Sequence, residues 1–233
     1  MRPFHPSYII TALGQIIPFL WVTLATMAGT VFFGSLAGLM LARAKVRRRP
    51  LSRALANVYI YMTRCIPSIV LLFIIYYGLP ELLLAFGINI NGFDKAFFVI
   101  TTFSVLFAAN MAEVFRSAYE AIDPGQREAA LSAGLSEWEA FFRILLPQCV
   151  TVALPNFANA LVNLMKEGSL AYTIGMVDVM GKGQLMIGMN NGSYSLEIYL
   201  ALAILYWALT IVLEKGFGYV EKRLSSGKRT AAA

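Results

Sequence analysis

Apolar residues dominate five stretches of this chain, about 20–42, 55–79, 96–119, 148–170 and 198–213, and most polar residues fall between them. A helix rises 1.5 Å per residue, so about 20 apolar residues cross a bilayer, and the five stretches are read as crossing helices. Residues 1–18 are apolar but broken by Pro3, Pro6 and Pro18, which predicts a short segment on the outer surface leading into the first span. Gly34 and Gly38 stand four apart within that span and invite a close helix neighbour. Arg64 and Pro67 interrupt the second span, Pro80 ends it, and GININGFDK at 87–95 reads as an outer loop. Pro155 predicts a kink in the fourth span. The stretch 173–195 is too rich in glycine and too polar for an ordinary crossing helix. It is expected as irregular or re-entrant backbone packed inside protein, because bare backbone facing lipid leaves polar groups unsatisfied.

Between the third and fourth spans lies EAALSAGLSEWEAFFRILLP, residues 128–147. Glu128 to Ala133 are mostly strong helix formers that stop at Gly134, and the second half stops at Pro147. Two short helices joined at a glycine turn are expected, closed where proline removes a backbone donor. Trp138, Phe141, Phe142 and Leu145 recur at helical spacing, while Glu128, Glu137, Glu139 and Arg143 take other faces. Such a segment lies on a membrane and offers a handle to something in water.

Composition agrees with a membrane protein. With 58% apolar and 14% charged residues among 233 and a mean hydropathy of +0.67, the chain is too apolar for a soluble domain of its size. It reads as one all-α domain over 1–233. The net charge of +6 is not a nucleic-acid signature, because the cations sit in two clusters against apolar spans. Arg43, Lys45, Arg47, Arg48, Arg49 and Arg53 form one, and Lys215, Lys222, Arg223, Lys228 and Arg229 the other. With Arg116, Arg127 and Arg143 they make fourteen of nineteen Lys and Arg in the segments assigned to the inside, whereas Arg2 and Lys95 fall outside. By the positive-inside rule the amino terminus is external and the carboxyl terminus cytoplasmic. The first apolar run precedes the large basic cluster, so it is expected as an uncleaved span.

Cys65 and Cys149 show no CxxC or Cys/His pattern and are expected to pack, with no metal site. His5 is the sole histidine, which argues against a histidine metal centre or a Ser/His/Asp triad. No G-x-x-x-x-G-K-[ST] occurs, so this chain is not expected to cradle ATP phosphates, to be an enzyme or to hold a cofactor of its own.

Glu128, Ala129, Ala130, Gly134, Ile144, Leu146 and Pro147 match at full spacing the EAA motif, E-A-A, three residues, G, nine residues, I-x-L-P. In this the chain resembles the permease subunits of ATP-driven, binding-protein-dependent importers. The resemblance implies the type I ABC importer permease fold, about five transmembrane helices with a cytoplasmic coupling segment at 120–147. It further implies a cytoplasmic ATP-binding subunit that holds ATP and Mg, an extracytoplasmic solute-binding protein, and a second permease copy or a paralogue. The bacterial inner membrane is the implied location, with lipid and not nucleic acid as the surrounding partner.

Within that group the chain is similar to the polar amino-acid permeases. Glu113, Arg116, Ile122, Gly125 and Gln126, in AANMAEVFRSAYEAIDPGQREAA at 108–130, stand at the family's positions, as do Arg64, Pro67, Lys166, Ser169 and Leu170. MVDVMGKGQL and LEIYLALAILYW resemble a cystine-type branch, which makes cystine the favoured cargo. Arg64-Cys65-Ile66-Pro67 stands where the family has R-G-T-P, Asn110 where it has tyrosine, and Lys166-Glu167-Gly168-Ser169-Leu170 where it has K-D-T-S-L.

Charges within spans cost about 2.5–3.5 kcal/mol near the bilayer centre, so each needs a reason. Lys166 beside Glu167, with Asn163 and Ser169 near, supplies the cation, anion and polar neighbours that an amino acid requires, and Asn110, Glu113 and Arg64 complete the substrate-path set. A structural reading competes at each position. Adjacent helix residues point about 100° apart, so Lys166 and Glu167 face one ligand only if the helix unwinds at Gly168. Glu113 and Arg116 are spaced for an ion pair on one face, and Arg64 is placed to snorkel to the inner headgroups or to pair with Glu113. Met176, Met180, Met186 and Met189 are either packing or a lining for a sulfur-containing side chain. A stand-alone secondary transporter or channel, driven by Glu113 or Glu167 protonation, is the alternative function.

Overall fold

The structure, a computed structural model, describes residues 4–47 and 49–229. Arg2, Pro3 and Arg48 lie outside the described residues, as do the side chains of Lys228 and Arg229. The described residues are all-α. In order they form α1 (Ser7–Ile16), α2 (Leu20–Val46), α3 (Pro50–Cys65), α4 (Ser68–Phe73), α5 (Leu79–Leu84), α6 (Lys95–Glu120), α7 (Pro124–Ser132), α8 (Glu137–Glu139), α9 (Leu146–Gly168), α10 (Val179–Met189) and α11 (Ser195–Arg229).

Four runs are long and apolar enough to cross a membrane: Ser7–Val46, Lys95–Glu120, Glu137–Ile174 and Ser195–Leu224. A fifth exists only if Pro50–Cys65 and Ser68–Leu84 count as one span, since they meet at 104°. The second crossing helix expected over 55–79 is thus broken in two. The reason is at Pro67: proline disfavours helical backbone in the residue before it, and Ile66 is extended at φ −89°, ψ 127°.

Prolines act differently elsewhere. The surface segment expected for residues 1–18 is helical instead, and it runs into α2 through a 3₁₀ turn, Ile17–Phe19. Pro18 sits in the first turn of that element, where a missing N–H costs little. Pro80 and Pro147 do not end their helices either. Each follows a π-helical stretch by two residues, Ile74–Gly78 and Ala140–Leu145 respectively. A widened turn moves the carbonyls that the proline ring would otherwise strike, so the chain passes through as helix. α9 also runs through Pro155 without an interruption.

Of the four long runs, only the one containing α6 has most of its apolar window buried. Asp94 caps its start, accepting a hydrogen bond from the Ala96 amide at 2.7 Å, and Phe98, Phe103, Phe107 and Met111 fill the centre of the main core. α2 lies against it so closely that the ideal Cβ of Gly38 would stand 2.5 Å from Met111 Cβ and that of Gly34 3.0 Å from Phe107 Cβ. Hydrogen side chains at these two positions are what allow α2 and α6 to approach, as the spacing of the glycines predicts. A second core joins α1, α10 and α11 through Ile16, Val179, Met186, Ile198 and Leu202.

The stretch 173–195 is irregular and mostly packed on protein. A 3₁₀ turn, Ser169–Ile174, ends at Gly175 with φ +77°, and the eleven residues of α10 follow. Lys95 Nζ donates to the Gly175 carbonyl at 2.9 Å, fixing this turn against the start of α6. Buried Asp178 caps α10: its Oδ1 accepts from the Gly181 amide at 2.9 Å and its Oδ2 from the Thr23 hydroxyl at 3.3 Å. Met176 and Met186 are core residues. Removing the cap in Asp178→Ala strands a buried amide and hydroxyl, a loss of about 1–3 kcal/mol. Thermal unfolding in detergent should show a lowered Tm for it and a smaller drop for Asp178→Asn, which keeps an acceptor.

Candidate functional site

Residues 123–146 fold into a helical hairpin held by local bonds. Asp123 accepts from the Gly125 amide at 2.7 Å, and Pro124 occupies the first turn of α7, where its missing donor is not needed. α7 ends in a Schellman motif. The Leu135 amide donates to the Ala130 carbonyl at 3.2 Å, and the amide of Gly134, at φ +86°, donates to the Leu131 carbonyl at 3.0 Å. Two residues later Ser136 and Glu139 form a reciprocal capping box that starts α8. Arg127 and Glu137 pair across the turn, with Arg127 Nε donating to Glu137 Oε2 at 3.0 Å.

Ala140 and Leu145 are buried, whereas Glu128, Ala129 and Gly134 are exposed. Trp138 is 71% exposed and rests on Phe142 with ring centroids 4.3 Å apart. Nothing lies within 4 Å of the position a Gly134 Cβ would take. The hairpin therefore presents small side chains, one carboxylate and one indole on a bare tip. Its second arm does not stop at Pro147 but is one helical run with α9 through Ile174. This corrects the closed two-helix segment expected from the sequence.

The six predicted substrate-path residues separate into three places. Glu113 is enclosed by cations from two helices: it pairs with Lys45 of α2, and Arg116 Nε donates to its Oε2 at 2.9 Å, while Arg116 also pairs with Glu120. This is the ion-pair reading, with Lys45 as the partner that sequence spacing could not identify. Arg64 is exposed at the end of α3, next to the bend, and does not join this cluster.

Lys166, Glu167 and Ser169 sit where α9 tightens into the 3₁₀ turn. The helix does not unwind at Gly168, so Lys166 is exposed on one side while Glu167 is half-buried and interacts with Ser68 at the start of α4. The Ser169 hydroxyl donates to the Lys166 carbonyl at 2.6 Å. The structure does not bring Lys166 and Glu167 onto one ligand. Asn110 is exposed although Ala109 and Met111 on either side are fully buried.

The exposed face of α9 differs from those of α2 and α11. From 155 to 168 its exposed residues are Pro155, Asn156, Asn159, Asn163 and Lys166. On α2 the exposed side chains include Phe32, Phe33, Leu36 and Leu39, and on α11 Leu200, Ile204 and Trp207. The spacing of three, four and three puts the asparagines and the lysine in one stripe. The sequence carries this signal, but only burial shows which face the stripe occupies.

Residues 34–226 match the family described as binding-protein-dependent transport system inner membrane component. The chain is 37% identical to the L-cystine transport system permease protein TcyL of Bacillus subtilis over 226 residues, 95% of this chain and 94% of TcyL. It is 32% identical to the probable amino-acid ABC transporter permease protein PatM of Vibrio harveyi, covering 95% and 97%. Among solved structures it is similar to an amino acid ABC transporter crystallised with histidines, at 26% identity and TM-score 0.80, over 95% of this chain and 100% of that one. An inward-facing MetNI methionine ABC transporter shares the fold at 19% identity and TM-score 0.70, over 90% and 96%.

Proposed function

Because this chain belongs to the family of binding-protein-dependent inner membrane transport components, on its amino-acid permease branch, we propose that it forms half of an ATP-driven import path for a polar amino acid, with cystine the favoured cargo. The other half is a second copy or a close paralogue. An external binding protein delivers the solute, and a cytoplasmic ATPase subunit, which holds ATP and Mg, drives the cycle. The chain is a single domain with the amino terminus outside and the carboxyl terminus inside, and 120–147 is its coupling segment.

The α7–α8 hairpin carries this reading: it is internally braced, bare at its tip and joined without a break to α9. Force applied to the tip is delivered along one helical run to the level of Lys166. When the ATPase pair closes, the two hairpins approach, and α9 moves with them to open the path outward; opening of the ATPase pair resets it. Lys166, Glu167, Ser169, Asn110 and Arg64 remain the path residues proposed for solute contact, while Glu113 is assigned to the ion-pair cluster that ties α2 to α6 near their cytoplasmic ends.

Vesicles holding the permease, its ATPase and its binding protein are expected to accumulate radiolabelled L-cystine only with internal ATP. Accumulation by the permease alone, without nucleotide, would sink this reading in favour of a stand-alone carrier. ATP-dependent uptake of a different amino acid would remove cystine and leave the rest.

A further inference from the structure

From the exposed face of α9 we infer that Asn156, Asn159, Asn163 and Lys166 line a water-filled vestibule, open towards the coupling hairpin and walled on its far side by a second copy of this chain. The inference rests on the permease reading and adds to it the wall of the path and the side on which it opens. Within the hydrocarbon region a side chain exposed from its own protomer meets lipid, protein or water. Carboxamides and an ammonium are costly against lipid, which cannot take up their hydrogen bonds. Other spans of the same chain show what a lipid face looks like here, with Phe32, Phe33 and Leu36 on α2 and Ile204 and Trp207 on α11. The α9 stripe has none of these residue types.

Its extent sets the depth of the vestibule. From Asn156 to Lys166 the stripe rises about 15 Å at 1.5 Å per residue, or half of a hydrocarbon core about 30 Å thick. Asn156 is the end nearer the hairpin, because α8 and α9 are one run. Beyond Lys166 the helix gives way to the 3₁₀ turn Ser169–Ile174, whose Ala171 and Ile174 are buried in the main core. The vestibule therefore ends near Lys166, where the path is closed by packed protein.

A carboxamide both donates and accepts. A row of three can solvate an ammonium or a carboxylate equally and holds neither in place by charge. The stripe thus serves as an exit track that is indifferent to the solute's charge, and discrimination is confined to its Lys166 end.

Cysteine labelling tests this in native membranes that contain the complete transporter, using a permanently charged methanethiosulfonate reagent. The background is Cys65→Ser with Cys149→Ser. Ser132→Cys on the hairpin identifies the reagent's side, and Phe32→Cys marks lipid. Asn159→Cys and Asn163→Cys are expected to react from the Ser132 side at least about tenfold faster than Phe32→Cys, since the thiolate that reacts exists only where water reaches it. Reaction no faster than Phe32→Cys, or reaction only from the opposite side, overturns the inference. If Asn159→Cys fails to accumulate, Asn156→Cys and Asn163→Cys on the same face decide. Fast labelling in membranes without L-cystine uptake would keep the vestibule and remove only the cargo, so the two failures are distinguishable.

Discussion

Replacing Gly134 with valine is expected to abolish nucleotide-driven uptake while the protein still reaches the membrane in normal amount. Gly134 holds φ +86°, a backbone region that a β-branched residue enters only at a cost of about 1–3 kcal/mol. No atom lies within 4 Å of the position its Cβ would take, so the penalty arises wholly in the backbone of the turn. The Schellman bonds from Leu135 and Gly134 are the part that must give, and α8 then leaves α7 at a different angle. Neither of the two cores is touched, so insertion and detergent Tm should stay close to the parent. Gly134→Asn serves as the control, because asparagine tolerates the left-handed region, and it should keep a substantial part of the uptake. The measurement is ATP-dependent uptake together with stimulation of the ATPase by the loaded binding protein. Normal uptake in Gly134→Val would show that the hairpin turn is not the point where force enters.

Gly38→Leu is expected to fail earlier, at folding. Its Cβ would lie 2.5 Å from Met111 Cβ, 3.0 Å from the Ala108 carbonyl oxygen and 3.2 Å from the Ala112 nitrogen. Two of those three atoms are backbone of α6 and have no rotamer by which to withdraw. The helices must separate, which forfeits the packing of Phe103, Phe107 and Met111 along the length of the seam. Overpacking of this kind costs about 1–3 kcal/mol per inserted group, and a leucine adds four carbons. Membrane abundance should fall severely, and any purified protein should unfold at a clearly lower temperature. Gly216→Leu is the matched control, because nothing lies within 4 Å of that Cβ position and Gly216 is exposed. Equal abundance of the two variants would mean that α2 and α6 do not pack at Gly38.

Much of this follows from local chemistry alone. The Gly134 turn is legible because glycine after a run of helix formers ends a helix in one well-defined way, and the hairpin is stabilised within itself. The Gly34 and Gly38 pair announces a close neighbour, although nothing in the spacing says that the neighbour is α6. Prolines were harder. Pro67 breaks its helix, whereas Pro80 and Pro147 are carried through by the π-helical turns before them, and Pro18 and Pro155 are absorbed as well. Whether the backbone can widen upstream of a proline depends on what surrounds that turn, which a linear pattern does not record.

Charges in the spans show the same limit. Glu113 and Arg116 are a visible pair at a separation of three, but Lys45 comes from another helix, and with it the cluster changes from a possible ligand site to a tie between α2 and α6. Lys166 and Glu167 look like one zwitterion clamp until the unbroken helix at Gly168 sends them to different sides.

The amino-acid sequence by itself determined that this is a helical membrane protein with a braced hairpin between its spans, because hydropathy, charge bias and turn chemistry are properties of neighbouring residues. Only the tertiary structure decided which helix is central, which face of α9 is left without apolar cover, and that hairpin and α9 are a single lever. Those depend on contacts between residues far apart in the chain, and burial is a property of the packed set rather than of any one segment.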